Sequence, residues 1–183
     1  MAEKASFEEL WNSARKSIFR LEKLPAYSIP EEKPSIESWR AGKPQEDSED
    51  EKWLGLLDAA KQKGVKVQRV RLFSLPLSEY LRYEIAIWQL SSKRREEIHF
   101  LSQEEYQKIS RIAGISPGDF WLFDDTLLWV IEYNGEGGFL GGTPVTETET
   151  ARRCAALKSK CLEKSIPINA FLKTLPAHCL PGN

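Results

Sequence analysis

The segment Arg69-Val-Arg71-Leu-Phe-Ser-Leu-Pro-Leu-Ser-Glu-Tyr80-Leu-Arg82-Tyr-Glu84 sets arginines, tyrosines and a carboxylate into a stretch that otherwise reads as hydrophobic core. Charge withdrawn from water is costly unless it is paired and hydrogen-bonded. Any fold of this chain must therefore join these groups in an ion-pair lock or gather them at a functional cleft. The first half of the segment, Val65 to Phe73, alternates and is rich in valine, which reads as a strand. Its apolar phase shifts between Val67 and Val70, so either both faces are covered or a bulge sits near Arg69. Residues 77–90 fit a strand or a helix; the Pro76-Leu-Ser-Glu start and the length favour a helix. On that helix Glu84 falls within the apolar stripe, one turn after Tyr80. Arg69 or Arg71 on the preceding strand is its natural partner, because a planar guanidinium suits a carboxylate.

At 183 residues the chain is long enough to bury a core, and one domain spanning 1–183 is expected. A net charge of -1 argues against a dedicated duplex-DNA binder, which normally carries a basic footprint, though a local basic face stays open. The start of the chain lacks an apolar signal core, and no apolar run reaches the roughly 20 residues a membrane helix needs. The three cysteines, Cys154, Cys161 and Cys179, form no CxxC pair and suit a reducing compartment. These features read as a cytoplasmic protein. Cys154 and Cys161 read as small core residues on one helix. With only His99 and His178, a zinc site is not expected, and neither a metal nor a cofactor is assigned.

Along the chain, Ser6-Phe-Glu-Glu9 matches a capping box, and Phe7, Leu10, Trp11, Ala14 and Ile18 predict one amphipathic helix ending before Pro25. Arg15, Lys16 and Arg20 would lie on or beside its wet face. Residues 25–52 are irregular, with an acidic surface loop at about 43–51 and a short helix around Trp39 and Arg40. Trp53, Leu56, Leu57 and Ala60 mark a helix stopped near Gly64. Lys93 to Arg95 form a basic turn, and Glu97 to Leu101 a strand. Ser102-Gln-Glu-Glu105 opens a helix with Tyr106, Ile109 and Ile112 on its buried face, closed by Gly114. Asp119–Asp125 and Leu127–Tyr133 form a hairpin, and Asn134 to Gly138 turn into a third strand at Phe139. Thr146-Glu-Thr-Glu149 predicts another capping box and a helix ending before Pro167. A short packing segment follows at 168–175, then a frayed tail at about 176–183. The predicted fold is α+β, a mainly antiparallel sheet with helices packed on one side.

Arg20-Leu-Glu-Lys-Leu-Pro-Ala-Tyr27, Trp39-Arg-Ala-Gly42, Arg69-Val-Arg71, Pro76 to Glu84, Asp119 to Asp125, and Tyr133 with its glycine turn resemble a family of uncharacterised proteins. The resemblance runs in order over roughly residues 6–175. That family is common in actinomycetes and related filamentous bacteria, and its members are often encoded near helix-turn-helix regulators. The resemblance implies one domain in a prokaryotic cytoplasm, and it transfers no site.

Chemistry can be weighed residue by residue. Asp124, Asp125 and Glu132 can hold a hard cation, but two acids at a hairpin tip also suit turn geometry. Asn134 to Gly138 precedes no helix and lacks the phosphate-loop ending. No nucleophile elbow is present. His99 reads as a core or edge histidine, with a general base as the alternative. Tyr80, Arg82 and Glu84 are the catalytic candidates, and Arg69, Arg71, Trp121 and Asp124 the ligand-binding ones. Two functions follow. One is a non-enzymatic interaction module working with a helix-turn-helix-type regulatory protein; its six tryptophans suit an interface, through Trp39 or Trp121. The other is a small enzyme or binder of RNA, aminoacyl-tRNA or a nucleotide-like anionic ligand, acting through an Arg/Tyr/Glu cleft in which Glu84 is unpaired.

Overall fold

The computed structural model describes residues 5–43, 51–91 and 96–175. Most of the acidic run, the Lys93–Arg95 turn, His178, Cys179 and the 176–183 tail lie outside those residues. Helix α1 (Phe7–Ser13) opens on the expected capping box: Ser6 Oγ accepts from Glu9 N, and the Glu9 carboxylate accepts from Ser6 N. It does not run on to Pro25. The chain leaves the helix at Ala14 and forms strand β1 (Ser17–Glu22). The cause is remote in sequence. The Asp124 carboxylate accepts hydrogen bonds from the main-chain N–H groups of Arg15, Lys16 and Ser17 at 2.7–2.9 Å. Donors that a helix would direct to its own carbonyls are captured instead by a hairpin tip.

A 3-10 turn (Pro30–Glu32) leads into α2 (Lys33–Arg40), and α3 (Glu51–Gln62) precedes β2 (Lys66–Phe73). The ambiguous segment is helix α4 (Glu79–Ser91). Then come β3 (Glu97–Ser102), α5 (Gln103–Ala113), β4 (Phe120–Phe123), β5 (Leu127–Tyr133) and β6 (Phe139–Val145). Helix α6 (Thr148–Lys164), β7 (Ile166–Pro167) and α7 (Ile168–Thr174) follow. The predicted box at Thr146 is absent: Glu147 is the N-cap residue of α6 and makes no side-chain capping bond. Ile112 is 89% exposed rather than buried, because α5 turns that position away from the sheet.

The strands form one sheet in the order β6-β5-β4-β1-β2-β3-β7. The β1–β2 and β2–β3 pairs are parallel and the other four antiparallel, so the fold is α+β with a mainly antiparallel sheet. Helices cover both faces, not one. Phe19, Leu21, Val70, Leu72, Phe120 and Leu122 pack under α5 and α6, where Cys154 and Cys161 are buried. The opposite face presents Ile18, Val67, Trp121 and Phe123 to α1 and α3, and Ile98 and Phe100 to α4 and α7. This two-sided cover explains the phase shift in β2. Its pairing is continuous on both edges, so no bulge occurs at Arg69.

Candidate functional site

Alternation along the strands decides where the charges go. Ile18, Arg20 and Glu22 share one face of β1, and Val67, Arg69 and Arg71 share the same face of β2. The parallel register sets Arg20 beside Arg69 and Glu22 beside Arg71. The result is a buried charged layer between the sheet and the helices. Glu22, 2% exposed, accepts from Arg69 Nη1 at 3.0 Å on each oxygen and pairs with Arg20 Nη2 at 2.8 Å. Arg69 also bonds Glu96 through Nε at 2.9 Å and Nη2 at 3.2 Å. Arg71, fully buried, donates from Nε to Glu84 Oε2 at 2.9 Å and from Nη1 to the Leu24 carbonyl. Its Nη2 lies 2.9 Å from the same Glu84 oxygen but is not aligned for a bond, so that donor stays unsatisfied. Aromatic rings line the layer: Trp121 beside Arg20, Trp88 beside Arg69 and Tyr27 beside Arg71, at 4.9, 5.4 and 5.0 Å.

The two central carboxylates divide the available positive charge unequally. Burial works to raise the pKa of Glu22, but Arg20, Arg69 and Arg71 together hold it down at about 2. For Glu84 burial prevails: Arg71 offsets it only in part, the Glu22 charge adds repulsion, and the carboxyl is pushed up to about 7. Burial works to lower the pKa of Arg71, but Glu84, Tyr27 and Glu22 together hold it above the ordinary guanidinium value.

In front of this layer the tyrosines are also engaged. Tyr27 donates to Asp119 Oδ2, and Tyr80 to Glu32 Oε2 at 2.7 Å. Burial raises the pKa of both hydroxyls and of both carboxyls. Beyond the rings opens a cleft of about 440 Å³ between α2, the 26–29 loop and the start of α4. Tyr27, Tyr80, Ile29 and Ile36 wall it, and Lys33, Glu37, Arg40 and Glu79 stand around it. Arg40 grips Glu79 with two parallel bonds, Nε to Oε1 at 3.0 Å and Nη2 to Oε2 at 2.6 Å.

The sequence-predicted residues are thus not gathered at one site. Tyr80 reaches the cleft. Arg69, Arg71 and Glu84 are buried behind it and paired. Arg82 is half-buried, with an Nε that has no acceptor among the described residues. Trp121, beside Arg20 at the edge of the charged layer, belongs to an aromatic cluster with Phe7, Trp11 and Trp53, buried under α1 and α3 and away from the cleft. Asp124 holds the start of β1, and its three main-chain donors outweigh burial and lower its pKa. Asp125 pairs with Lys158 at 2.7 Å. Among the described residues no group of three or more His, Cys, Asp and Glu side chains is placed to hold a metal. Sequence reasoning missed Glu22, Glu96, Glu32 and Asp119 as partners, and Lys33, Glu37 and Glu79 beside the cleft. The alternation of Ile18, Arg20 and Glu22 was the available signal for the first of these.

A second surface lies at the sheet edge. Phe139 and Leu140, 64% and 66% exposed, open strand β6; no other strand of the described sheet covers its outer side, and Ser28 forms a single parallel bridge to Gly138 just before it. Pro144 near its other end has no N–H to offer a neighbour.

No helix of the described residues is long and apolar enough to cross a membrane. A search of curated proteins finds no match to this chain. A family model described as a domain of unknown function, DUF6879, matches residues 5–173, and the chain belongs to that family.

Proposed function

We propose that this DUF6879-family domain is a non-enzymatic interaction module that docks an extended segment of a regulatory protein along the free edge of β6. The observation that carries the reading is the adjacent pair Phe139 and Leu140, both largely exposed at the start of an edge strand. A strand edge presents unpaired main-chain groups, which natural proteins usually blunt or cover. An added strand gains main-chain hydrogen bonds there, and its side chains cover the two apolar residues, which sit where β6 bulges against Glu132 and Tyr133. Pro144 at one end and the Ser28–Gly138 bridge at the other confine pairing to the residues between them. The partner class is a helix-turn-helix-type regulator in an actinomycete cytoplasm, the setting that the family resemblance implies. Catalysis through Tyr80, Arg82 and Glu84 has weaker support, because Arg71 holds Glu84 and the Tyr80 hydroxyl is committed to Glu32.

The test is a tagged pull-down of the full chain from its native host, with and without nuclease. A stoichiometric regulator that survives nuclease and protects the amides of residues 139–142 from hydrogen exchange is the expected result. A Phe139→Ser/Leu140→Ser variant should lose it while keeping wild-type circular dichroism. Enriched RNA without a protein partner, or full retention of the partner by the variant, overturns the reading.

A further inference from the structure

We propose that the cleft between α2 and α4 binds a small zwitterion with an apolar body, of the chemical class of a free amino acid with an apolar side chain. The inference stands independently of the edge-strand reading. At about 440 Å³ the cleft has the size of a small-molecule site, and its inner wall is apolar: Ile29, Ile36 and the rings of Tyr27 and Tyr80. Around it stand two cations and two anions, Lys33 and Arg40 with Glu37 and Glu79. The side chains of Lys33 and Glu37 make no hydrogen bond or ion pair within the described residues; Glu79 alone hydrogen-bonds the Arg40 fork, with Glu37 acting on it only through its charge.

That composition selects among ligands. The four charges sum to zero, so the cleft offers no excess positive field to a phosphate or a polynucleotide, and its two carboxylates repel a polyanion. Nor does it offer a stacking platform. The Arg71 guanidinium lies against the Tyr27 ring, and Tyr27, Tyr80 and Tyr83 pack against one another at 5.8 and 6.1 Å in tilted and edge-on arrangements. Base recognition needs an open aromatic face. A zwitterion answers both halves of the rim. Its carboxylate takes the bidentate place on Arg40 that Glu79 fills in the empty cleft. Its ammonium then lies between the released Glu79 and Glu37, whose carboxylate accepts no hydrogen bond within the described residues, and its side chain covers Ile29 and Ile36. The exchange is electrostatically balanced, because one carboxylate replaces another on an exposed pair that contributes little to stability.

The experiment is calorimetric titration of the full chain with leucine, and with two analogues that each lack one charge, 4-methylpentanoate and 3-methylbutylamine. Inorganic phosphate and a nucleoside monophosphate serve as polyanion probes. Leucine is expected to bind saturably, each analogue at least tenfold more weakly, and the phosphates more weakly still. Arg40→Gln and Glu37→Gln should each weaken leucine at least tenfold and leave the unfolding curve in place, since both side chains are exposed. Equal affinity for 4-methylpentanoate would make this a simple anion site and overturn the proposal. So would tighter binding of either phosphate probe, or no saturable binding of leucine at millimolar concentration.

Discussion

Helix α4 carries two Arg–Glu pairs, and they teach opposite lessons. At its first turn Glu79 meets Arg40 in a two-bond fork of good geometry, with both side chains about half exposed. Deeper, Glu84 meets Arg71 through one oxygen, leaving one guanidinium donor unsatisfied, and both groups are buried. Judged by hydrogen bonds, the surface pair is the better one. Judged by consequence the order reverses, because an exposed pair exchanges easily with water while a buried charge that loses its partner has nowhere to turn. The imperfect pair therefore holds the domain together, and the well-formed one stands where a ligand can replace one partner.

The comparison breaks most sharply at Arg71. Arg71→Ala removes the cation bonded to Glu84, a donor to the Leu24 carbonyl and the neighbour of the Tyr27 ring. The expected loss at pH 8 is about 3–5 kcal/mol, read from urea unfolding. A loss below about 1 kcal/mol, typical of surface pairs, would mean that water reaches Glu84 and that the layer is not a lock.

A smaller effect, visible through its pH dependence, is expected at Glu84. In the fold this carboxyl keeps its proton up to about pH 7, whereas its ordinary value is 4.5. The folded state thus binds more protons between those limits. The contribution of Glu84 is greatest below pH 4.5 and is lost as pH rises towards 7. Glu22 has the opposite sign: held at about 2, it stabilises the fold above 4.5 and ceases to as pH falls towards 2. Glu84→Gln should cost about 1 kcal/mol at pH 5, where an amide replaces a protonated acid. The gap to wild type should narrow towards pH 8, because the variant does not titrate at this position. Parallel stability–pH curves for the two proteins would show that Glu84 is already ionised at pH 5 and that Arg71 neutralises it fully.

Much of this layer could be read in advance and part could not, for a physical reason. Local signals carried the hairpin at Asp119–Tyr133, the helix at 79–91 and the pairing of Glu84 with a β2 arginine, since turn chemistry and unpaired buried charge are visible in a short window. Over residues 7–22 the sequence predicts a single helix because Phe7, Leu10, Trp11, Ala14 and Ile18 keep a helical period by coincidence, whereas the chain forms a helix and then a strand. The choice between helix and strand was made by Asp124, more than a hundred residues away. Without β1 as a strand, Arg20 falls on a wet helix face and Glu22, the central acceptor of the site, has no visible role. The cleft was illegible for a related reason. Its charged rim comes from α2 and the first turn of α4, ordinary surface residues until the fold sets them opposite each other.

The smallest expected effect is at the surface pair, and its smallness is the informative part. Arg40→Ala deletes both bonds to Glu79, yet stability should change by no more than about 0.5 kcal/mol and the difference should shrink further in high salt. Helix α2 has other anchors: the Trp39 ring meets Tyr83 edge-on at 6.1 Å, and Ile36 packs into the same tyrosine cluster. Because those contacts are apolar, they are indifferent to salt and survive the substitution. A loss of about 2 kcal/mol or more, in the range of a structural mutation, would show instead that the fork pins α2 to α4. Arg40 would then be a structural residue like Arg71, and exchange of Glu79 for a ligand carboxylate would open the domain rather than fill its cleft.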